Sequence, residues 1–191
     1  EVGYVHIPDM GQPGLNEFTK RFFPQIRKKG LVVDVRGNGG GFVSPLVIER
    51  LRHALVMVEM ARNGVPQTNP PQTFLGPMVT LINEFSASDG DIFPYRFKAL
   101  GLGKLIGKRT WGGLIGIYDY PILMDGGMFT SPRLAIFSPE GEWEVENVGV
   151  APDIEIEMTP KLVIAGQDPQ LEKAVEVVLA ELNANTPKKV T

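Results

Sequence analysis

The sequence lacks cysteine, long apolar runs and blocks of like charge. Without cysteine among its 191 residues, the chain can form no disulfides, thiolate metal sites or cysteine nucleophile. No stretch approaches the roughly 18 apolar residues that a membrane-spanning helix needs. Its 22 acidic and 19 basic residues are scattered, so no basic stripe is present for a phosphate backbone. We therefore predict no membrane span and no nucleic-acid partner.

What the sequence does contain is enough apolar material for one globular domain, because 43% of its residues are hydrophobic. The chain opens on Glu1, without an initiator methionine or a leader, and runs straight into the apolar alternation of residues 3–7. We expect it to be the C-terminal piece of a longer polypeptide. The compartment stays open, with the cytoplasm favoured over the periplasm.

Short buried strands alternate with helices along the chain. Apolar runs at residues 31–36, 78–83 and 105–107 are typical of buried strands, and helical patterns lie between them. From residue 110 to 157 we predict short strands broken by turns. The last helix is the clearest, because Asp168 is a good N-cap ahead of an apolar stripe. This alternation predicts a layered α/β domain.

Two of the predicted strands end in small residues at the start of a helix, where backbone N–H groups point outward without partners. After the first, Gly39, Gly40 and Gly41 allow close approach to a ligand and positive φ, so their amides could bind an oxyanion. After the second, Ser88 offers a hydroxyl and Asp89 an amide. On the residues alone, other interpretations stay open. The glycine run could be a tight turn or a phosphate loop, although the Gly-Lys-Ser/Thr of a phosphate loop is missing. Ser88 could be a simple N-cap.

Four motifs follow one another along the chain, in a region that extends roughly from residue 3 to residue 182. They are VDVRGNGGG at 33–41, NEFSASDGD at 83–91, GKRTWGG at 107–113 and VENVGVAPD at 145–153. In sequence and order they resemble the motifs of peptidase family S41, the tail-specific and tricorn-like serine peptidases. The resemblance implies a crotonase/ClpP-like spiral α/β peptidase core, which we place at residues 1–185, with a frayed tail at 186–191.

The resemblance also implies catalytic roles for individual residues. It makes Ser88 the nucleophile that forms an acyl-enzyme and Glu146 the acid that orients a catalytic histidine. The backbone N–H groups of Gly41 and Asp89 would form the oxyanion hole. On the residues alone, Glu146 also fits a salt-bridged loop carboxylate.

Contacts with substrate and partners follow from the same resemblance. Glu59 falls where tricorn-like peptidases carry the acid that reads a basic residue beside the scissile bond, and Gly40 is assigned to substrate binding. Glu59 also fits an ordinary solvated surface acid. The expected partners are peptide or protein substrates and, because relatives assemble, further copies of the same protein. Asp34, Asp89 and Asp91 lack the spacing of a hard-cation loop, so we predict no metal and no other cofactor.

The general base is missing from these motifs. Tail-specific peptidases use a lysine in a Thr-aromatic-Gly-Lys motif, but Gly113 occupies the lysine position. The tricorn-like design uses a histidine from an N-terminal segment, and neither His6 nor His53 matches it. We therefore expect the base to come from sequence upstream and this chain alone to be nearly inert. Two alternatives stay open: a Ser/Lys peptidase using Lys104 or Lys108, and a superfamily member that binds ligands without hydrolysis.

Overall fold

The computed structural model describes residues 1–117 and 121–185, so the predicted tail at 186–191 lies outside the described residues. The strands are β1 (Val2–His6), β2 (Gly30–Asp34), β3 (Met57–Glu59), β4 (Gln67–Asn69), β5 (Met78–Ile82), β6 (Gly103–Gly107) and β7 (Ile154–Glu155). The α-helices are α1 (Gln12–Phe22), α2 (Ser44–Leu51), α3 (Asp89–Ala99), α4 (Pro160–Ile164) and α5 (Pro169–Ala184), and a 3-10 turn, Phe23–Gln25, continues α1.

Five of the strands form one parallel sheet in the order β1-β2-β5-β6-β7. All residues of β2 and β5 are buried, because helices cover both faces of the sheet. Apolar side chains of α1, α2 and α3, such as Phe18, Val47 and Phe93, pack on one face. Ala174 and Val178 of α5 pack on the other. The predicted layered α/β fold is therefore confirmed.

The direction of the strands brings three loops to one edge of the sheet. β2, β5 and β6 are neighbours and run parallel, so their carboxyl ends lie together. The loops that leave these ends begin at residues 35, 83 and 108, and they carry the glycine run, Ser88 and the Thr110 region. Ligands of open parallel sheets bind at this edge.

One ion network ties the same edge to the last helix. The Arg36 guanidinium contacts the carboxylates of Asp34 at 2.7 Å and of Asp168 at 2.8 Å. Asp168 is the N-cap of α5, as predicted, and accepts the Leu171 N–H at 2.9 Å. The hydroxyl of Tyr4 donates to Asp34 at 2.7 Å. The network therefore joins β1, β2 and α5 beside the glycine run.

The prediction of short strands from residue 110 to 157 is wrong for most of that stretch. Its described residues form only isolated bridges, Gly116 with Leu134 and Ile122 with Met128, before β7 begins. Apolar side chains in this stretch, Met128 among them, are exposed because no sheet pairs with the segment. The antiparallel pair β3-β4 and the short helix α4 were not predicted. No helix among the described residues has the length and apolar character needed to cross a membrane.

Candidate active site

The glycine loop, residues 37–43, leaves β2 and is fastened to the segment that follows β1. Asn38 is fully buried and donates its side-chain N–H to the Ile7 carbonyl at 2.9 Å. Its Oδ1 accepts the Gly40 N–H at 2.9 Å, and the Gly40 carbonyl accepts the Met10 N–H at 2.8 Å. The N–H of Phe42 donates to the Met10 carbonyl at 2.8 Å. The loop is therefore held by buried hydrogen bonds on both sides.

Two glycines of this loop cannot be replaced without moving their neighbours. Gly40 has φ +102°, and a Cβ there would lie 2.6 Å from the Cβ of Ser88 and 3.0 Å from the Asp89 nitrogen. Gly41 has φ +147°, and a Cβ there would lie 2.1 Å from the Met10 carbonyl oxygen. The main chain of the loop therefore lies directly against the serine, as the close approach of a glycine run allows.

Ser88 occupies the N-cap position of α3 but does not cap it. Its backbone has φ +57° and ψ −121°, which is unusual for a residue with a Cβ, and its half-buried side chain makes no cap hydrogen bond. Its neighbours are fixed, because Ala87 donates its N–H to the Asn38 carbonyl and Ser86 donates its hydroxyl to the Val35 carbonyl, both at 2.9 Å. The serine hydroxyl is thus held at the edge of the sheet without serving as a helix cap.

Two backbone N–H groups beside the serine are unpaired. The N–H of Asp89 is the first of α3, where no carbonyl of the helix can accept it. Gly41 follows Gly40, at which a Cβ would lie 2.6 Å from the Cβ of Ser88 and 3.0 Å from the Asp89 nitrogen. The described residues supply no hydrogen-bond acceptor to the N–H of Gly41 or of Asp89. Unpaired N–H groups at the start of a helix are suited to an anionic oxygen.

Glu146 is half-buried and held by the loop that follows β6. Its Oε2 accepts the N–H groups of Leu114 at 2.6 Å and Ile115 at 3.0 Å. The next residue, Asn147, donates its N–H to the Gly112 carbonyl at 2.7 Å. These partners are backbone amides rather than a cation, and they leave Oε1 available to another donor. The orienting role of Glu146 stays a prediction.

Asp91 joins α3 to the same loop from inside the core. Its side chain is fully buried, Oδ1 accepts the Gly112 N–H at 2.8 Å, and Oδ2 has no partner among the described residues. Burial raises the pKa of Asp91, although the Thr110 hydroxyl and nearby backbone N–H groups act in the opposite direction. Trp111 donates its N–H to the Ser86 carbonyl at 2.9 Å. The loop is therefore bonded to both ends of residues 86–91, which we call the serine segment.

The two residues predicted to contact substrate differ in their surroundings. Glu59 is exposed at the end of β3, and its carboxylate accepts the Asn69 side-chain amide at 3.2 Å. Among the described residues, no hydrogen bond connects Glu59 to the serine segment. A Cβ at Gly40 would lie against Ser88, but the N–H of Gly40 already donates to Asn38 and its carbonyl already accepts the Met10 N–H. Both assignments stay predictions, and that of Gly40 rests on the space it leaves beside the serine.

Neither histidine lies in hydrogen-bond contact with the serine. His6 is exposed on β1, and the Nδ1 of His53 lies 3.1 Å from the Arg50 guanidinium. Within the part of the chain that the structure describes, Ser88 therefore has no imidazole to accept its proton. The same described part contains no group of three or more acidic, histidine or cysteine side chains that could hold a metal.

The lysines of the Ser/Lys alternative are poorly placed. Lys104 is exposed near the start of β6, away from the edge that carries Ser88. The Nζ of Lys108 lies 2.8 Å from both Glu155 and Glu157, and these hydrogen bonds raise the pKa of Lys108. A lysine that acts as a base needs a lowered pKa instead. Gly113 leaves no lysine at the usual position, and a Cβ there would lie 2.3 Å from the exposed ring of Trp111, which would have to turn aside.

Three supporting residues escaped the sequence analysis. Asn38 ties the glycine loop to the segment that follows β1. Ser44 donates to the side chain of Asp89, and Arg96 donates to the oxygen of Ser44. Asn38 lies inside the glycine run and Ser44 directly precedes a proline at a helix start, so both positions could have been flagged. Nothing in the sequence marks Arg96, which is one of several cations in helices.

Comparison with known proteins places the chain among peptidases. The model of peptidase family S41 matches residues 1–156. The tricorn protease of Thermoplasma volcanium is 47% identical over 191 residues, which cover 98% of this chain and 18% of that protein. Tricorn protease homolog 1 of Streptomyces coelicolor is 44% identical over 188 residues, with 98% and 18% covered. The chain thus spans about a fifth of the length of these relatives.

Solved structures confirm the predicted fold. A crystal structure of the tricorn protease superposes with a TM-score of 0.90 at 46% identity, over 95% of this chain and 18% of that one. The photosystem II D1 C-terminal processing protease superposes with a TM-score of 0.63 at 24% identity, over 93% and 46%, which shows the fold alone. The crotonase/ClpP-like parallel-sheet fold is therefore confirmed. With 156 of its 191 residues matched by the family model, the chain belongs to peptidase family S41.

Proposed function

We propose that this chain carries the nucleophile and the oxyanion hole of a serine peptidase, within one core domain at residues 1–185. The observation that carries the proposal is the environment of Ser88. Its hydroxyl makes no cap hydrogen bond and its φ is positive. The N–H of Asp89 follows it directly, the N–H of Gly41 follows Gly40, at which a Cβ would lie 2.6 Å from that of Ser88, and neither N–H has an acceptor among the described residues. Backbone outliers of this kind cluster at active sites. Membership of family S41 supports the same assignment.

In the proposed reaction, the Ser88 oxygen attacks the carbonyl carbon of a peptide bond while its proton passes to a histidine imidazole. The carbonyl oxygen becomes an oxyanion that accepts the N–H groups of Gly41 and Asp89. As the tetrahedral intermediate collapses, the C–N bond breaks and the imidazolium gives its proton to the leaving amine. Water, deprotonated by the same imidazole, then hydrolyses the ester and releases Ser88.

The imidazole is proposed to come from outside this chain. His6 and His53 make no hydrogen bond to Ser88, and the tricorn relatives are about five times as long as the part that this chain matches. The Oε1 of Glu146 is available to receive one N–H of an incoming imidazole, which would orient the ring and stabilise its protonated form. The chain alone is then nearly inactive.

The proposed substrates are peptides with a basic residue beside the scissile bond. The exposed carboxylate of Glu59 supports this choice, because a lysine or arginine side chain would pair with it. We also propose that the full-length protein assembles from several copies. The tricorn relatives support peptide hydrolysis as the reaction class.

The test compares this chain with the longest native polypeptide that contains it. A fluorophosphonate probe and reporter peptides containing arginine or lysine are expected to react with the long form and to react at least about 10³-fold more slowly with the chain alone. Ser88→Ala should abolish labelling and hydrolysis in the long form. Ser131→Ala, which changes another half-buried serine, should leave both unchanged.

Three results would contradict the proposal. Equal labelling of the chain alone would mean that a base lies within it. Absence of labelling in the long form would favour the ligand-binding alternative. Loss of activity in Lys104→Ala or Lys108→Ala, with Glu146→Gln unaffected, would favour the Ser/Lys mechanism.

A further inference from the structure

The side chain of Asp89 is engaged away from the serine. Only 3% of Asp89 is exposed, and its carboxylate is bound at the start of α2 rather than in its own helix. Its Oδ2 accepts the Ser44 N–H at 2.9 Å, and its Oδ1 accepts the Ser44 hydroxyl in a short hydrogen bond. Ser44 is fully buried. One carboxylate therefore joins the first residue of α3 to the first residue of α2.

The direction of these hydrogen bonds is fixed by Arg96. Its guanidinium donates to the Ser44 oxygen at 2.9 Å. A guanidinium has only donors, so the serine oxygen must accept from it, and the single hydroxyl proton must go to Asp89. Arg96 lies two turns after Asp89 in α3, so the series returns to the helix from which it started. We call the series from Arg96 through Ser44 to Asp89 the Ser44 bridge.

The Ser44 bridge joins the two segments that supply the proposed oxyanion donors. One donor is the N–H of Asp89 itself, and the other is the N–H of Gly41, three residues before Ser44. Apolar packing between α2 and α3 holds the helices together but fixes their relative shift only loosely, whereas hydrogen bonds are directional. The hydrogen bond from the Ala87 N–H to the Asn38 carbonyl joins the same two segments before the helices begin. The Ser44 bridge adds a second link, so the distance between the two donor N–H groups depends on both.

We propose that Ser44 and Arg96 are positioning residues, which act through the Asp89 carboxylate to set the spacing of the Gly41 and Asp89 donors. This inference rests on the proposed function, because it assigns a role within the same oxyanion hole. It differs from that function in predicting that two side chains remote from the substrate change the chemical step. Donors in an oxyanion hole act at the position of the developing charge, so a small displacement lowers kcat more than it raises KM.

The experiment uses the long polypeptide and the variant Ser44→Ala, with Ser138→Ala as the matched control. Ser138 is also a buried serine, and its Oγ accepts the Glu142 N–H. Among the described residues it has no hydrogen bond to Ser44, Asp89 or Arg96. We expect Ser44→Ala to lower kcat about 10- to 10²-fold with KM within about twofold. Binding of a peptide boronic acid, which forms a tetrahedral adduct on Ser88, should weaken by a similar factor. Ser138→Ala should change neither.

Arg96 supplies a second pair of variants that leaves the buried serine in place. Arg96→Met removes the donor to Ser44 and should lower kcat about 3- to 10-fold. Arg96→Lys keeps a donor and should recover most of that loss. If Ser44→Ala fails to fold, as judged by its unfolding midpoint, the Arg96 pair still decides the inference.

The outcomes separate this inference from the function on which it rests. If Ser88→Ala abolishes hydrolysis but Ser44→Ala and Arg96→Met keep the wild-type kcat and boronate affinity, the Ser44 bridge has no positioning role. If both variants raise KM and leave kcat unchanged, the bridge supports substrate binding instead, and the inference is wrong. If Ser88→Ala leaves hydrolysis intact, the proposed function fails, and the inference fails with it.

Discussion

The loops around Ser88 and the segment at residues 121–144 are built in opposite ways. The site loops, residues 37–44, 83–91 and 108–115, leave adjacent parallel strands and are joined by buried hydrogen bonds. In the exposed segment, residues 121–144, all residues but three are exposed, and the backbone is organised by isolated bridges and by turns such as the one that joins Ser138 and Glu142. Met124 and Ile122 lie open to solvent there. The chemical groups of the site are therefore fixed because their loops are attached to the strands of the sheet. A segment with many apolar residues but no such attachment does not fix its side chains.

Glu146 shows why the difference matters. It follows the exposed segment in sequence, but two amides of the site loops hold its carboxylate. Its position is therefore set by Leu114 and Ile115 and not by the residues just before it. A catalytic acid can therefore follow a loosely organised segment in sequence, provided that the site loops donate the hydrogen bonds that fix its carboxylate.

The largest expected effect comes from Glu146→Gln in the long polypeptide. The glutamine oxygen would accept the N–H groups of Leu114 and Ile115, which turns the NH₂ toward the imidazole and favours the wrong tautomer. We expect kcat to fall about 10³- to 10⁴-fold. Glu140→Gln, an exposed acid of the exposed segment, should change kcat less than twofold. A loss below about tenfold for Glu146→Gln would mean that this carboxylate does not orient the base.

Hydrogen exchange compares the two regions directly. Amides of β2 and β5 are buried and paired on both sides, whereas most of the exposed segment has no backbone partner. We expect the strand amides to exchange at least about 10³-fold more slowly than those of residues 121–135, as measured by mass spectrometry. Similar protection in both regions would mean that the exposed segment is covered in solution.

Two alanine substitutions separate backbone strain from contact with the site. Gly40 and Gly126 both have positive φ, at +102° and +81°, but a Cβ meets Ser88 at Gly40 and nothing within 4 Å at Gly126. We expect Gly126→Ala to lower the free energy of unfolding by about 1 to 2 kcal/mol and to leave activity unchanged. Gly40→Ala should lower activity by about 10² or more, because Ser88 must move. Equal activities in the two variants would mean that the contact is not functional.

The smallest expected effect is a pH dependence of stability at Asp91. Burial raises the pKa of Asp91 in the folded protein, so the folded state binds this proton more tightly than the unfolded chain does. The free energy of unfolding of the wild type should therefore fall, relative to that of Asp91→Asn, as pH rises from about 4 through the folded pKa. Urea unfolding between pH 4 and pH 8 measures this difference.

Asp125→Asn is the matched control for this titration. Asp125 is exposed, and its one hydrogen bond within residues 1–117 and 121–185 is from the Gly127 N–H, at 2.9 Å. Its unfolding is measured over the same pH range, so that any effect common to Asp→Asn substitutions can be subtracted. A difference for Asp91→Asn that stays flat or increases with pH would mean that the buried carboxyl does not hold its proton in the folded state.

Sequence reasoning reached the fold and the centre of the site because both leave local patterns. Buried parallel strands are continuous apolar runs, and Asp168 marks the start of α5 by its capping side chain. Gly41 and Ser88 follow two such strands, so their proximity could be predicted from the parallel topology. The family and the crotonase/ClpP-like fold were predicted from the motifs and are confirmed.

The rest depended on contacts between residues far apart in sequence. The Ser44 hydroxyl donates to a carboxylate 45 positions away, and Arg96 lies 52 positions from Ser44. Helix and strand periodicity in the sequence cannot predict contacts at such separations. The stretch from 110 to 157 was predicted as strands because its apolar residues alternate with turns. Apolar alternation predicts a strand only where a partner strand is present, and here the sheet supplies none.

The bridge between Arg36 and Asp168 has a consequence for biosynthesis. Its two partners are 132 residues apart, and the later one opens α5. A ribosome must therefore complete most of this domain before the strand that carries the glycine loop receives its last ionic contact. Until then the sheet lacks the cover that α5 gives to one face. The nascent domain is thus exposed to proteases and chaperones while its serine segment has already been synthesised.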